Sequence, residues 1–458
     1  MGGKRQKNRV ASASEPESRG ESPSDGTRGT EPSAARRDTK SPASTEMLME
    51  EVCQRDNLKT ALKQVQENKG GPGINGMTVD KLTAHLKEHW PALREQLLNG
   101  TYQPTPVRRV EIPKPGGGMR KLGIPTVLDR FVQQALMQIL QGLWDRTFSE
   151  SSFGFRPRRS QHHAVTAAQK YITAGYRWVV DLDLEKFFDR VNHDILMARV
   201  ARRVADKRAL KLIRAFLNAG VMENGLVSPT DEGTPQGGPL SPLLSNLLLD
   251  DLDRELERRQ LRFVRYADDC NVYVRTKRAG ARVMEGLKRF LAKKLKLKVN
   301  EEKSAVARPW ERKFLGFSFT SHRVPRRRIA PKALERFKER VKELTRRNAG
   351  IGIEEMVERL ASYLRGWRGY FNFCETPSVL QRLDAWIRRR LRCVVWKQWK
   401  QGRTRFSELL RHGICPTDAA MIAGSGRGPW RLARHNTVQA ALPNAFFDSL
   451  GLPLLAPG

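Results

Sequence analysis

Residues 263–275 read FVRYADDCNVYVR. Two carboxylates, Asp268 and Asp269, sit side by side at the centre of an apolar run rich in β-branched and aromatic residues. Phe263, Val264, Tyr266, Val272, Tyr273 and Val274 are good strand formers, so the stretch predicts a β-hairpin with the two acids at its turn. Aspartate is an ordinary turn residue, and taken alone the pair is explained equally well as plain turn chemistry. The turn carries no glycine, however, and its flanks are too apolar for an exposed corner. The chain around it is also strongly basic, with 83 Lys and Arg against 49 Asp and Glu and a formal charge of +34.

A second acidic stretch lies upstream. YRWVVDLDL (176–184) reads as an apolar strand carrying Asp181 and Asp183. Two residues apart on a strand, both would point to one face. An acid on an apolar strand costs several kcal/mol unless something positive meets it. Lysine or arginine is one partner and a metal ion is the other. Hard divalent cations such as Mg²⁺ take carboxylate oxygens and keep positions open for phosphate. Two such ions about 4 Å apart stabilise both the attacking and the leaving oxygen of a phosphoryl displacement.

Charge and composition narrow the partners. So basic a surface attracts a polyanion, nucleic acid before an anionic membrane, because Lys and Arg displace the counterions condensed on phosphates. No apolar run reaches transmembrane length and no signal-peptide core is present. The five cysteines, Cys53, Cys270, Cys374, Cys393 and Cys415, form no C-x-x-C pair. This argues against a zinc ribbon and a disulfide framework, and fits a reducing cytoplasm.

The chain divides by composition. Residues 1–44 are Ser, Gly, Pro, Glu and Arg with almost no apolar anchors, a composition that reads as a disordered tail. Helical patterning from Met47 to Leu98 is interrupted by NKGGPGING (68–76), a Gly/Pro loop. TPVRRVEIPKPGGGMRKLGIP (105–125) reads as a hairpin around its glycines. After Pro325 the pattern becomes helical with no strand signal. ALERFKERVKEL, IEEMVERLASYLRGWRGYF and LDAWIRRRLRCVVWKQW each place apolar residues at three- and four-residue steps, the mark of amphipathic helices. On the third helix the polar face is basic, with Arg388, Arg389, Arg390, Arg392 and Lys397.

YADD, with DLEKFFD upstream and GTPQGGPLSPLLSN between them, resembles the palm of a reverse transcriptase. GPGINGMTVDKL, SSFGFRPRRSQHHAV, KFLGFSF and LRGWRGYF extend the resemblance to a group II intron-encoded reverse transcriptase/maturase, of the bacterial type lacking the C-terminal endonuclease domain. It runs from about Met47 to the C-terminus. Phe153, Arg158 and Asn75 depart from the usual residues of these blocks, away from the metal chemistry.

The resemblance implies an α+β right-hand polymerase, with fingers and an antiparallel palm sheet over 45–324. An all-α thumb/maturase domain would follow over 325–401 and a DNA-binding region over 402–458. It implies Asp183, Asp268 and Asp269 as the catalytic, metal-holding triad for two Mg²⁺ ions. Asp183 is selected because the family's first acid lies five residues before an aromatic, here Phe188, and Asp181 is left as a structural acid. Lys114, Arg120, Phe188 and Gln236 would contact the dNTP, Phe188 as the gate against a ribose 2′-OH, and Lys303 the leaving pyrophosphate. Arg365, Arg368, Arg388, Arg389 and Arg392 would face RNA. The implied partners are intron RNA, an RNA template and a DNA primer or target. The alternatives are a maturase-only RNA-binding protein, which the intact acids disfavour, and a domesticated polymerase of DNA repair or defence.

Overall fold

The structure, a computed structural model, describes residues 45–456 apart from 114–117, 224–225, 229–231, 234–236 and 349. The expected tail over 1–44 lies outside the described residues. The first helices are α1 (Leu48–Val52), α2 (Arg55–Glu67) and α3 (Leu82–Leu98). Strands β1 (Val107–Pro113) and β2 (Met119–Ile124) form the hairpin predicted around the glycines, in antiparallel register from Arg108–Ile124 to Pro113–Met119. Helix α4 (Val127–Trp144) starts where the Thr126 hydroxyl accepts the Asp129 N–H at 3.1 Å, an N-cap that satisfies an otherwise orphaned donor. It packs on α2 and is followed by α5 (Gln161–Thr173).

Strand β3 (Trp178–Leu182), α6 (His193–Ala201), α7 (Lys207–Asn218), β4 (Val221–Glu223), β5 (Leu226–Ser228) and α8 (Ser241–Arg258) lead to the opening stretch. That stretch folds as β6 (Arg262–Tyr266) and β7 (Asp269–Val274), followed by α9 (Lys277–Phe290) and β8 (Ala305–Ala307). The palm sheet has the order β6-β7-β3-β8, and every neighbouring pair in it is antiparallel. The other four-stranded sheet, β2-β1-β4-β5, is mixed, because β1 and β4 pair in parallel.

Alternation along the palm strands explains the layers. Val180, Leu182, Phe263, Cys270 and Val272 point into the large core beneath α4 and α8. Val179, Val264 and Tyr273 point the other way, onto a second core built from α5 and the aromatic residues Phe314, Phe317 and Phe319. Asp181 therefore shares the face of Val179, and Asp183 lies one residue past the end of β3 rather than within it.

Strand structure persists beyond Pro325. β10 (Arg327–Ile329), ahead of the first helical stretch, pairs antiparallel with β9 (Phe317–Phe319) in a short ribbon that the sequence pattern does not single out. Three residues are too few for periodicity to register, and basic Arg327 and Arg328 obscure the pattern. The helical region follows with α10 (Pro331–Leu344), α11 (Ile353–Phe371) and α12 (Pro377–Gln398) around a third core that includes Phe337, Leu360, Leu364 and Trp396. The short helices α13 (Gly402–Arg411), α14 (Pro416–Ala423), α15 (Pro429–Leu432), α16 (Asn436–Ala441) and α17 (Asn444–Ser449) belong to the same core. Among the described residues no helix is long and apolar enough to cross a membrane.

Candidate active site

Tyr266 pairs with Asp269, so the hairpin turn is two residues long and consists of Ala267 and Asp268. Asp269 is the first residue of β7 rather than part of the turn that the sequence suggests for both acids. Ala267 adopts φ 55°, a left-handed conformation usually left to glycine. The surroundings hold it there. A Cβ on Gly154 would come within 2.2 Å of the Ala267 nitrogen, so only glycine lets that backbone press against the turn.

The turn is also gripped from inside. Arg265 is fully buried and every donor of its guanidinium is used. It donates to both oxygens of Asp253 on α8 at 2.7 and 2.6 Å, to the Asn246 side chain at 3.0 Å, to Ser152 Oγ at 2.8 Å and to the Ala267 carbonyl at 2.9 Å. The last bond ties the buried ion pair to the peptide immediately before Asp268. Sequence reading passed over this residue. Its signal was an arginine inside an apolar strand, with Asn246 and Asp253 one helical face apart in SNLLLDDLD.

Asp183 reaches the same end of the sheet. Leu182 pairs with Cys270, so the next residue along falls beside Asp269 on the neighbouring strand. Its backbone is fixed by Ser304 Oγ, which accepts the Asp183 N–H at 3.0 Å, and by the Asn300 N–H, which donates to the Asp183 carbonyl at 2.8 Å. Lys303 Nζ stands 3.7 Å from its carboxylate. Asp181 takes a different role, accepting from Arg312 Nε at 2.7 Å. Burial raises the Asp181 pKa, opposed by Arg312. Crowding by protein, then the charges of Asp268, Asp183 and Asp181, pushes the Asp269 pKa up to about 7, opposed by Lys313. The outer edge of Asp269 meets solvent, which screens part of that effect.

Neighbouring carboxylates that raise the proton affinity of Asp269 mark a site short of positive charge. An all-oxygen donor set suits a hard cation such as Mg²⁺, which binds through a few carboxylates and completes its shell with water and phosphate. Among the described residues no three acidic, His or Cys side chains are gathered at a ready-made metal spacing. The fit rests on donor chemistry and charge.

A cleft of about 550 Å³ lies alongside, lined by Leu122 of β2, Arg130, Gln134 and Met137 of α4, Phe155, Phe188, Gly237 and Gly238. Phe188 is half-buried and meets the buried Phe187 edge-on, with ring centroids 5.1 Å apart. The carboxylates and this cleft have the makings of a phosphoryl-transfer site.

Residues 112–319 match the family described as reverse transcriptase (RNA-dependent DNA polymerase), and residues 334–413 match the group II intron maturase-specific domain. Protein YkfC of Escherichia coli (strain K12) is 35% identical over 321 residues, covering 61% of this chain and 83% of that protein. The chain belongs to the group II intron reverse transcriptase/maturase family. The intron-encoded protein LtrA of Lactococcus lactis subsp. cremoris is 31% identical over 334 residues, 58% of this chain and 55% of that protein. The chain therefore spans only about half the length of LtrA. A solved structure titled a partial Cas6-RT-Cas1–Cas2 complex is similar at 23% identity over 54% of this chain and 42% of that one, with a TM-score of 0.35.

In this reverse transcriptase Asp183, Asp269 and the Asp268 turn come together at one end of the palm sheet, with Lys303 beside them. Phe188 lines the adjoining cleft. Lys114 and Gln236 lie outside the described residues, and of Arg120 only its place in β2 is described. Arg130 and Phe155 line the cleft without having been singled out in the sequence. Arg130 donates to the Gly71 carbonyl at 2.7 Å, bringing the NKGGPGING loop to the cleft rim.

The RNA-facing assignments divide. Arg365 is exposed and Arg368 half-exposed on α11. Arg388 and Arg392 are corrected to structural roles, because both are buried against the C-terminal segment. Arg388 pairs with Asp448 at 2.6 Å, while Arg392 donates to the Leu442 carbonyl at 2.7 Å and to Asn444 at 2.8 Å. Arg389 stacks on Trp430 at 4.0 Å and donates to its carbonyl at 2.9 Å. An amphipathic plot counts these arginines as solvent-facing. It cannot register that residues 429–449 fold back over that side of α12.

Proposed function

We propose that the chain synthesises DNA on an RNA template and that its helical region grips group II intron RNA to assist splicing and mobility. The observation that carries the catalytic reading is the meeting of Asp183 with the Asp268–Asp269 hairpin near a cleft lined by Leu122 of β2 and Phe188. The primer 3′-oxygen attacks the α-phosphorus of a dNTP. A new O–P bond forms, the bond to the β-phosphate bridging oxygen breaks, and pyrophosphate leaves. Two Mg²⁺ ions, when bound, supply positive charge to the attacking and leaving oxygens. Asp183 and Asp268 are the direct holders of that charge, and Asp269 supports them. Lys303, within reach of Asp183, meets the departing pyrophosphate. Lys114, Arg120 and Gln236 hold the triphosphate, base and sugar, and the Phe188 ring excludes a 2′-OH, the group that distinguishes ribonucleotides. Most of the rate enhancement is positioning and fixed electrostatics.

The helical region supplies exposed Arg365 and Arg368 for the phosphates of structured RNA, and residues 402–458 are assigned to target DNA. The protein acts in the bacterial cytoplasm. Two assays test the two halves. Purified protein extends a DNA primer on an RNA template with Mg²⁺ and dNTPs, and it lowers the Mg²⁺ concentration at which a group II intron RNA splices. No extension across a range of salt would reject the polymerase half. An unchanged Mg²⁺ requirement would reject the splicing half.

A further inference from the structure

The end of the palm sheet opposite the carboxylates is built from cations in register. Trp178 of β3 pairs with Val274, so Arg177 and Arg275 emerge together. Val179 pairs with Ala307 of β8, which places Arg308 beside Trp178, and Arg262 opens β6 opposite Tyr273. Across the order β6-β7-β3-β8, each strand thus delivers one arginine to the same end, at about 4.8 Å per strand. Six residue steps along β3 separate Arg177 from Asp183, about 20 Å at about 3.3 Å per residue.

Aromatic rings set these cations in place. Arg308 lies 4.1 Å from the Trp178 ring centre and 5.4 Å from that of Trp310, while Arg177 stands 5.0 Å from Trp310. Lys277 is 5.9 Å from Trp178, and Arg275 is 5.2 Å from Tyr176. A guanidinium laid on a ring is held in a fixed orientation; Arg308 Nη1 donates to the Arg177 carbonyl at 3.1 Å, tying two members of the row together, and the remaining donors are of the kind that grips phosphate oxygens. Elsewhere the arginines of this chain commonly meet acids, as Arg312 meets Asp181 and Arg208 meets Glu50. Among the described residues, Arg177, Arg262, Arg275, Lys277 and Arg308 enter no ion pair. Nearby Glu311 accepts from the Arg308 backbone N–H. Helix α9 begins here with Lys277 and no acid in its first turn, so cations crowd the positive end of a helix. Self-repulsion of this kind is relieved by an anion.

We propose that this end of the palm sheet is a second nucleic-acid surface, separate from the polymerase cleft, which holds the phosphate backbone of an RNA segment lying outside that cleft. RNA is chosen over DNA because Arg177 also donates to the Ser321 carbonyl, in the loop leading to β10. Ser321 lies between the reverse transcriptase match, which ends at residue 319, and the maturase-specific match, which begins at 334, so the row meets the connection between the two regions. That choice rests on the proposed RNA-handling function. The recognition is of backbone, independent of sequence and sensitive to salt.

The test uses the full chain with its cleft preloaded by a short, chain-terminated DNA primer on an RNA template. A fluorescein-labelled 40-nucleotide RNA and the DNA of the same sequence are then titrated in at several salt concentrations. Wild type binds the labelled RNA despite the preload. The double variants Arg275→Glu/Lys277→Glu and Arg275→Gln/Lys277→Gln change exposed residues only. They weaken RNA binding about tenfold and reduce the slope of log affinity against log salt by about 1.4, two single-strand phosphate contacts. Extension of the short primer and the melting temperature stay at wild-type values. Exclusion of the RNA by the preload, an unchanged affinity and slope, an equal loss of primer extension, or preference for the DNA probe each overturns the proposal. If wild type extends no primer, the polymerase reading fails. The comparison of variants on unloaded protein then still reads the surface directly.

Discussion

At the scale of a residue, the chemistry depends on groups that never touch a substrate. Arg265 holds the peptide before Asp268 while its charge is matched by Asp253 in the protein interior. Arg265→Met leaves that carboxylate buried and unpaired, an expected loss of about 3–5 kcal/mol. Thermal melting reads that loss as a lower Tm. Arg265→Lys keeps the charge but loses the forked geometry, so primer extension falls more than Tm does. A variant with full activity would remove Arg265 from the account of the turn. For Phe188→Ala the expected outcome is ribonucleotide incorporation raised at least tenfold relative to dNTP. Unchanged discrimination in single-nucleotide extension would reject the gate. These residues also mark how far the sequence could be read. The acids were visible because charge on an apolar strand is costly and conspicuous. Arg265 was not, because its acid lies twelve residues away on another element and the pair cancels only in space.

At the scale of elements, helix starts and ends do much of the joining. Asp206 caps α7 and accepts the Met49 N–H of α1 at 3.0 Å, while Arg208 bridges Asp206 and Glu50. Burial would raise the Asp206 pKa, but Arg208 and the backbone N–H groups of Met49, Arg208 and Ala209 outweigh it and lower it. The hydrogen bonds from Arg208 lower Glu50 as well. A depressed carboxylate contributes stability that is present above its unfolded value, about 3.9 for Asp, and lost as pH falls through the folded one. Asp206→Ala therefore lowers Tm at pH 7 by the equivalent of about 2 kcal/mol. It also flattens the decline of Tm below about pH 4. A parallel decline in both proteins would contradict the assignment. The hairpins and the long helices α10, α11 and α12 were legible because their periodicity spans many residues. The β9–β10 ribbon and the covering of α12 were not, since both are settled by partners distant in sequence.

At the scale of the whole molecule, the palm sheet is electrically two-ended, with acids at the β6–β7 turn and cations at the opposite edge. The +34 charge pointed to a polyanion, and the strand register gathers four arginines at one end of the palm sheet. Binding of RNA to the intact chain should therefore weaken steeply as salt rises, by two or more orders of magnitude between about 50 and 200 mM for a surface engaging several phosphates. A flat salt dependence in fluorescence anisotropy would contradict so large an electrostatic share.

The most direct test of the central claim is DNA-primer extension on an RNA template by wild type and by Asp268→Ala, with RNA affinity measured on the same preparations. The account predicts extension by wild type, its loss in the variant by at least a thousandfold, and an RNA affinity within about twofold of wild type. Extension by Asp268→Ala at a wild-type rate would contradict it.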